Sequence, residues 1–580
     1  MRGFFLEDIV QPVTEKRWKI READEAAVAL IAREQALKPD LARVLVNRGI
    51  TTAAAAAAYL SPSLAGLHEP LLLRDMDRAV ARLSQARLNG ELVCIYGDYD
   101  VDGITSVALL VSFFREVGIS VTYHIPRRLE DGYGLSTEGI SRIASQGATV
   151  VVSVDCGVTA VEEARLAASL GIDLIITDHH TPGDTLPEAY AVINPLRPGC
   201  DFPFKGIAGV GVAFNLLMAL RRRLREDGLF KHRPEPDLKA YLDLVALGTI
   251  ADVVPLQDEN RILTRIGLKV LETSSRPGIT ALKEVASVSG EVSCSSVGFR
   301  LAPRLNAAGR LEDAALGVEL LLSTDLTEAR RIAAELDASN AERQAVEKAI
   351  LQSALQMIAE SPEMANRRSI VLASAEWHPG VIGIVASRIV DIFHRPTVLI
   401  SLEQGSGRGS GRSIPGFHLY QALHACTDHL LRFGGHRQAA GLAIDESALA
   451  SFVEHFDEVT AGELSEEDLV PELLIDSELC PGDISVDLAE KVAALHPFGM
   501  GNPEPLFLVR NLRVADARVL KETHIKLVLQ VAGRRLEAIG FGMAGRTLPE
   551  CIDIAAQLQI NVWNGRANLQ LRIKDFRESC

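Results

Sequence analysis

Three short aliphatic runs, each followed at once by residue types that bind metals, constrain this chain more than any other feature. Leu92-Val93-Cys94-Ile95-Tyr96 leads into Gly97-Asp98-Tyr99-Asp100-Val101-Asp102-Gly103. Thr149 to Val154 leads into Asp155-Cys156-Gly157, and Leu174-Ile175-Ile176-Thr177 into Asp178-His179-His180. Near-continuous β-branched runs separated by helix-length segments suit strands of a parallel sheet covered on both faces. In open α/β sheets the functional crevice lies beyond the carboxyl ends of the strands, so these residues are predicted to converge. A further carboxylate, Asp252, sits in the apolar stretch Gly248-Thr249-Ile250-Ala251-Asp252-Val253-Val254-Pro255. An unpaired charge there would be costly, and a cation would compensate it.

The spacing Asp98-x-Asp100-x-Asp102-Gly103 also opens an EF-hand calcium loop, and that reading fails. The twelfth position, which needs a bidentate Glu, is Leu109, and an apolar strand stands where the entering helix should be. A solvated acidic turn is the bland alternative; the two other ligand-bearing strand ends argue against it. Several carboxylates with one or two imidazoles exceed what one cation uses, and the mix suits Mn²⁺ or Mg²⁺ better than zinc or calcium. Two ions about 3.5–4 Å apart would activate a water and neutralise charge on a phosphoryl transition state, so phosphate ester or anhydride hydrolysis is the expected reaction class. For His179 a core position is the competing reading. Its place beside His180, after a strand and an Asp, favours metal binding or support of a ligand.

The rest of the chain frames this centre. At 580 residues it exceeds one core, and roughly three or four domains are expected. Residues 1–75 read as helical, with helices over Asp24 to Glu34 and Thr51 to Tyr59. Residues 76–324 hold the α/β sheet, and 325–360, free of Gly and Pro, predict one long connecting helix. Residues 361–460 form a smaller α/β unit. It has strands Ser369 to Ala373 and Pro396 to Ser401, a helix entered at Trp377-His378-Pro379-Gly380, a glycine-rich loop from Gly405 to Ser413, and a glycine turn at Phe433-Gly434-Gly435-His436. Residues 461–580 turn strand-rich after an acidic patch at Glu463 to Asp468. Segments His524 to Val531, Arg534 to Phe541, Ala555 to Trp563 and Arg566 to Lys574, with a hairpin turn at Asn564-Gly565, predict a five- or six-stranded barrel.

Composition narrows the class. The eight cysteines (Cys94, Cys156, Cys200, Cys294, Cys426, Cys480, Cys551, Cys580) include no C-x-x-C pair, which argues against a disulfide framework or a zinc module. There is no apolar run of the ~18 residues a membrane helix needs and no charged-then-apolar leader, so a soluble, cytoplasmic protein without membrane contact is expected. A net charge of −16 weighs against nucleic-acid binding in bulk. A metal site concentrates carboxylates, however, and one groove can be basic on an acidic chain.

These motifs together resemble the DHH phosphoesterase superfamily, and within it the RecJ family of single-strand-specific exonucleases. Also matching, in family order, are Pro303-Arg304-Leu305-Asn306-Ala307-Ala308-Gly309-Arg310, Trp377-His378-Pro379-Gly380-Val381-Ile382-Gly383 and Phe433-Gly434-Gly435-His436. The resemblance implies a DHH-type parallel-sheet domain, a smaller DHH-associated α/β domain joined by the long helix, and a C-terminal OB-like barrel. It implies that Asp100, Asp102, Asp155, His179 and Asp252 ligate two divalent ions, Mn²⁺ or Mg²⁺, with Asp155 bridging and Asp98 as a ligand or its close support. Some DHH enzymes carry a His where this chain has Tyr96, so water or Asp98 would replace that imidazole. Asp178 and His180 are left to support the ligands or assist the leaving group.

On the same scheme Arg304 and Arg310, with Asn306 between them, would clamp the scissile phosphate; helix-end salt bridges are the alternative. Ser410 and Arg412, with His378 and Arg128 or Arg127, resemble a pocket for a terminal 5′ phosphate, against a merely flexible glycine loop. His436 would lie near the nucleotide. In the barrel, Arg534, Arg535, Arg566, Arg572 and Lys574 supply charge, and Trp563 and Phe541 are either stacking platforms or core. The resemblance thus implies a 5′→3′ exonuclease that degrades single-stranded DNA to mononucleotides in repair and recombination, as a monomer working with a helicase and a single-stranded-DNA-binding protein. A DHH phosphodiesterase for short oligonucleotides or cyclic dinucleotides is the nearest rival, and an inactive single-strand-binding scaffold is the rival of another class. The barrel and N-terminal region weigh against the first, the intact carboxylates against the second.

Overall fold

The computed structural model describes residues 16–126, 134–311, 314–361, 363–364, 367–563 and 566–579; for 310, 311, 562, 563, 566 and 567 it describes the backbone alone. The three aliphatic runs are strands of one five-stranded sheet. Its members are β1 (Leu92–Tyr96), β2 (Ser120–His124), β3 (Val150–Val154), β4 (Asp173–Thr177) and β5 (Ala191–Ile193), in the order β2-β1-β3-β4-β5 and all parallel. β3 is buried at every position, as a strand covered on both faces must be. The helices that matter for the site are α1 (Val101–Val117), α2 (Gly209–Glu226), α3 (Leu242–Ala251), α4 (Asp258–Thr273) and α5 (Ala302–Leu311). One apolar core unites them with the sheet, drawing Ile104, Val107 and Phe114 of α1, Val210 and Phe214 of α2, and Leu244 of α3.

The Gly-free and Pro-free stretch is a single helix, α6 (Leu326–Glu360). The second sheet comprises β6 (Ile370–Ser374), β7 (Thr397–Glu403), β8 (Ser406–Arg412), β9 (Arg432–Gly435) and β10 (Ala439–Asp445), in the order β9-β10-β8-β7-β6, with α7 (Ile382–Phe393) packed on β7 and β8. Two expectations are corrected here. The glycine-rich segment is strand β8, and the Phe433 turn begins as strand β9. In β8 the period of two puts Gly407, Gly409 and Gly411 on one face, where Ile400, Ile444, Leu442 and Leu419 press so close that a Cβ on Gly409 would lie 2.7 Å from Leu442. The ladder uses the backbone N–H groups, and Arg408, Ser410 and Arg412 alternate onto the other face.

The C-terminal strands β11 (Phe507–Leu520), β12 (His524–Val531), β13 (Arg534–Gly540), β14 (Cys551–Trp563) and β15 (Arg566–Glu578) run in the order β11-β12-β13-β15-β14, and β14 pairs back to β11 to close a five-stranded barrel. The Asn564-Gly565 turn lies outside the described residues. β11 was not legible in sequence because a bulge between Val509 and Leu512, with Asn511 at φ +55°, resets its alternation. The N-terminal helices Glu25–Glu34, Pro39–Val46 and Ala53–Leu60 share a core with this barrel, Ile31 and Leu41 clustering with Leu488, Phe507 and Ile552. The N-terminal region is not wholly helical: Arg17–Ile20 is a strand paired in parallel with Glu472–Ile475. By contacts the chain divides into two units, one of residues 21–340 with 476–580, the other of 1–20 with 341–475. No helix among the described residues is long and apolar enough to cross a membrane.

Candidate active site

The acidic loop is built by the turn from β1 into α1. Asp100 caps α1, its carboxylate accepting the N–H groups of Asp102 (2.9 Å) and Gly103 (3.1 Å). Asp102, buried on the first turn, is held from the other side. Its two oxygens accept the N–H groups of Gly209 (2.7 Å) and Val210 (2.8 Å) at the start of α2, where a helix N-terminus favours a carboxylate. Those two donors were missed in sequence, although the run Gly206-Ile207-Ala208-Gly209-Val210-Gly211 signals a close backbone approach. Asp155 follows β3 with φ +60°, a conformation Asp tolerates, and its N–H donates to Thr177 O at 3.0 Å.

Beyond β4, Asp178 is consumed by orienting its neighbours. Oδ2 accepts Val158 N–H (2.9 Å), and Oδ1 accepts His179 N–H (2.7 Å), His180 N–H (3.1 Å) and His180 Nδ1 (2.7 Å). Burial pushes Asp178 up, but the hydrogen bond and charge of His180 and the backbone donors outweigh it and hold the carboxyl below its usual range. His180 is accordingly raised: burial lowers it, and the bond to Asp178 more than offsets this. His179 is held down to about 4, by burial first and then by His180, so its imidazole is neutral. The Ile207 backbone hydrogen-bonds that ring.

His179 Nε2 gathers the carboxylates. It lies 3.1 Å from Asp155 Oδ1, 3.6 Å from Asp252 Oδ2 and 4.0 Å from Asp102 Oδ2. None of these contacts has hydrogen-bond alignment: Nε2 and Asp252 Oδ2 are both buried without a hydrogen-bond partner. Among the described residues, three sets of donors come within 4.8 Å of one another: Asp98 with Asp100 and Asp155, Asp102 with His179 and Asp252, and Asp155 with His179 and His180. Crowding raises the acids. Asp102 is pushed up to about 7 and Asp252 to about 9, by burial and then by the charge of neighbouring carboxylates, and Asp155 is raised as well for the same causes in the same order. Buried oxygens with a neutral, unpartnered imidazole nitrogen fit hard divalent cations, which would supply the missing positive charge. Tyr96 belongs to none of the three sets; its hydroxyl donates to Gly134 O at 3.2 Å, and Asp98 stands in the set instead.

Helix α5 departs from the expected clamp. Arg304 Nε donates to Asp337 at 2.8 Å, and its other nitrogens donate to the carbonyls of Arg300 and Val285, so this guanidinium is committed to structure. Asn306 instead braces the acidic loop, its Oδ1 accepting Val101 N–H at 3.1 Å. Gly309 lets the helix approach: a Cβ there would lie 2.7 Å from Tyr99 O. The side chain of Arg310, and Arg127 and Arg128 entirely, lie outside the described residues.

In the other unit, Ser410, Arg412 and His378 group around the first turn of α7. Arg412 Nη1 donates to Ser410 Oγ at 3.0 Å, and a Cβ on Gly383 would meet Ser410 Oγ at 2.8 Å and Arg412 Nη2 at 2.9 Å. His378 Nδ1 accepts Gly380 N–H at 3.1 Å in the turn that enters the helix, whose N-cap makes no side-chain bond. A helix N-terminus with a hydroxyl and a guanidinium beside it suits a phosphate. His436 is exposed in the turn after β9, its N–H donating to Ala439 O at 2.8 Å. In the barrel, Phe541 is 47% exposed, with Arg572 over its ring at 5.4 Å and His524 edge-on at 5.1 Å.

Comparison with known proteins agrees with this layout. The DHH family N-terminal domain matches residues 92–249, the DHHA1 domain 366–462 and the RecJ OB domain 475–575. The single-stranded-DNA-specific exonuclease RecJ of Escherichia coli K12 is 40% identical over 574 residues, covering 96% of this chain and 98% of that protein. The RecJ of Bacillus subtilis is 39% identical over 571 residues, covering 96% of this chain and 70% of that protein. Among solved structures, RecJ from Thermus thermophilus in complex with Mn²⁺ superposes with a TM-score of 0.82 at 35% identity, covering 97% of this chain and 79% of that one. The same protein with Mg²⁺ gives 0.77 at 33% identity, covering 97% and 78%. Sharing all three domains in order and nearly its full length with these relatives, the chain belongs to the RecJ family of DHH phosphoesterases.

Proposed function

We propose that this chain is a metal-dependent exonuclease that hydrolyses single-stranded DNA in the 5′→3′ direction to mononucleotides, in DNA repair and recombination. The observation that carries the reading is the place of Asp155, which is common to a donor set of aspartates and to one containing His179 and His180. Asp98, Asp100, Asp102, Asp155, His179 and Asp252 are the residues that would hold two ions, with Asp155 shared between two of the donor sets. Divalent ions there, Mn²⁺ or Mg²⁺ as in the Thermus structures, would supply an activated water and positive charge against the phosphate. The side chains do the rest. Asp178 holds His180 through Nδ1 and keeps its imidazole raised, which suits it to give the departing 3′ oxygen its proton. Asn306 holds the acidic loop in register, and Arg310 is the remaining candidate for the phosphate clamp.

Ser410, Arg412 and His378 at the α7 N-terminus are proposed to hold the 5′ phosphate, with Arg128 as a further candidate and His436 near the nucleotide. Phe541 and Arg572 are proposed to hold the strand on the barrel. A cytoplasmic monomer working beside a helicase and a single-stranded-DNA-binding protein is the setting proposed for it. A 5′-labelled single strand, its duplex and a dinucleotide, each with Mn²⁺, Mg²⁺ or EDTA, test the reading. Cleavage of the single strand alone, lost in EDTA and in Asp155→Ala, is expected. Equal cleavage of the duplex refutes strand specificity, and activity that survives both EDTA and Asp155→Ala refutes the metal mechanism.

A further inference from the structure

Asp252 is followed by a residue in an unusual state. Val253 has φ +61°, and 66% of it is exposed. A β-branched residue in the left-handed region is strained, and such strain persists only where the surroundings over-determine it. Two to four residues further on, the chain meets a segment from far along the sequence. The loop Gly499-Met500-Gly501 runs across Pro255-Leu256-Gln257, with Leu256 N–H donating to Met500 O at 2.7 Å and Gln257 Nε2 to Gly501 O at 3.2 Å. A Cβ on Gly499 would lie 2.7 Å from Leu256, and one on Gly501 3.1 Å from Pro255, so the two segments touch backbone to side chain.

From behind, the buried Asn502 fixes this loop. Its Nδ2 donates to Leu495 O (3.0 Å) and Pro497 O (2.7 Å), and its Oδ1 accepts Arg48 Nε (2.7 Å). Despite that bracing, 58% of Met500 is exposed. Two large apolar side chains are thus exposed on a pair of segments hydrogen-bonded to each other, the first of which begins at a candidate metal ligand.

We propose that Val253 and Met500 form an apolar rest for the sugar and base of the nucleotide whose phosphate lies at the carboxylate cluster; this rests on the exonuclease reading above. A branched alkyl group and an adaptable thioether gain dispersion contact with any base, so the rest positions a strand without reading its sequence. Its place next to Asp252 ties base position to phosphate position, which is what an enzyme indifferent to sequence requires.

The full chain is assayed at saturating Mn²⁺ with a 5′-phosphorylated single strand and with a matched strand whose two 5′-terminal nucleotides lack bases. Met500→Ala is expected to raise KM about fivefold on the intact strand with kcat within about twofold, the size of one lost base contact. On the abasic strand the variant and the wild type are expected to coincide, and Met500→Leu is expected to restore the wild-type KM. Val253→Gly relieves the backbone, so it is expected to raise KM while Tm stays level or rises, a pair of effects that a purely structural role does not produce. Unchanged KM in both alanine and glycine variants, or an equal rise on the abasic strand, overturns the proposal. Failure of the wild type to cleave the intact single strand overturns the exonuclease reading instead.

Discussion

Asn306 Oδ1 accepts the backbone N–H of Val101 at 3.1 Å, tying helix α5 to the turn that presents Asp98, Asp100 and Asp102 over 205 residues of sequence. The bond fixes the first turn of α1, so its loss is expected to loosen the candidate ligands without removing any. Asn306→Ala is expected to weaken Mn²⁺ binding by roughly tenfold, as loss of a group that orients ligands does. Asn306→Asp, which keeps an acceptor, is expected to recover most of it. Titration of Mn²⁺ by electron paramagnetic resonance measures both; equal affinity in Asn306→Ala and wild type refutes the brace.

Metal removal should make stability fall as pH rises. Asp102 at about 7 and Asp252 at about 9 stand above the unfolded carboxyl value of about 4, so the folded chain keeps protons that the unfolded chain has released. Their contribution is full below the unfolded value and is lost as pH rises through the folded ones. His179, held down to about 4, acts in the opposite sense only below the unfolded imidazole value of about 6.5. From about pH 6.5 to 9 the EDTA-treated protein is therefore expected to lose Tm steadily, and Mn²⁺ to flatten the slope. Asp252→Asn is expected to flatten it without metal; a slope unchanged in that variant counts against the carboxylate origin.

Arg304 offers a contrast between architecture and chemistry. With its guanidinium on Asp337 and two backbone carbonyls, Arg304→Gln is expected to cost about 1–2 kcal/mol of stability, the lower end reflecting the half-exposed Asp337. Below the melting range, KM and kcat are expected to stay within about threefold of wild type, a change under 1 kcal/mol. A loss of a hundredfold or more in kcat with intact Tm restores Arg304 to the phosphate.

The phosphate site proposed at the α7 N-terminus predicts end-group discrimination. Arg412→Ala is expected to raise KM for a 5′-phosphorylated strand by roughly tenfold, the scale of a lost charge-assisted contact, and to leave a 5′-hydroxyl strand nearly unaffected. Ser410→Ala should act in the same direction and less. Equal effects on both substrates refute a 5′-phosphate site.

Sequence by itself determined the strand runs, the candidate ligands at their ends, the long helix and the alternation of the last four barrel strands, because each is written in local periodicity or in adjacent residue types. It identified Asp98, Asp100, Asp102, Asp155, His179 and Asp252 as candidates, but not their partition into donor sets. Tertiary structure alone decided what long-range contacts decide. It turned Gly405 to Ser413 from an apparent loop into a strand whose glycines make room for Leu442 and Ile400, and it took Arg304 for Asp337. It set the N–H groups of Gly209 and Val210 on Asp102, and it joined the N-terminal helices to the barrel in one core. The physical reason is the same throughout: a side chain's role depends on which partner reaches it first in space. For Asp102 those partners are 107 and 108 residues away, beyond the reach of any pattern in the neighbouring sequence.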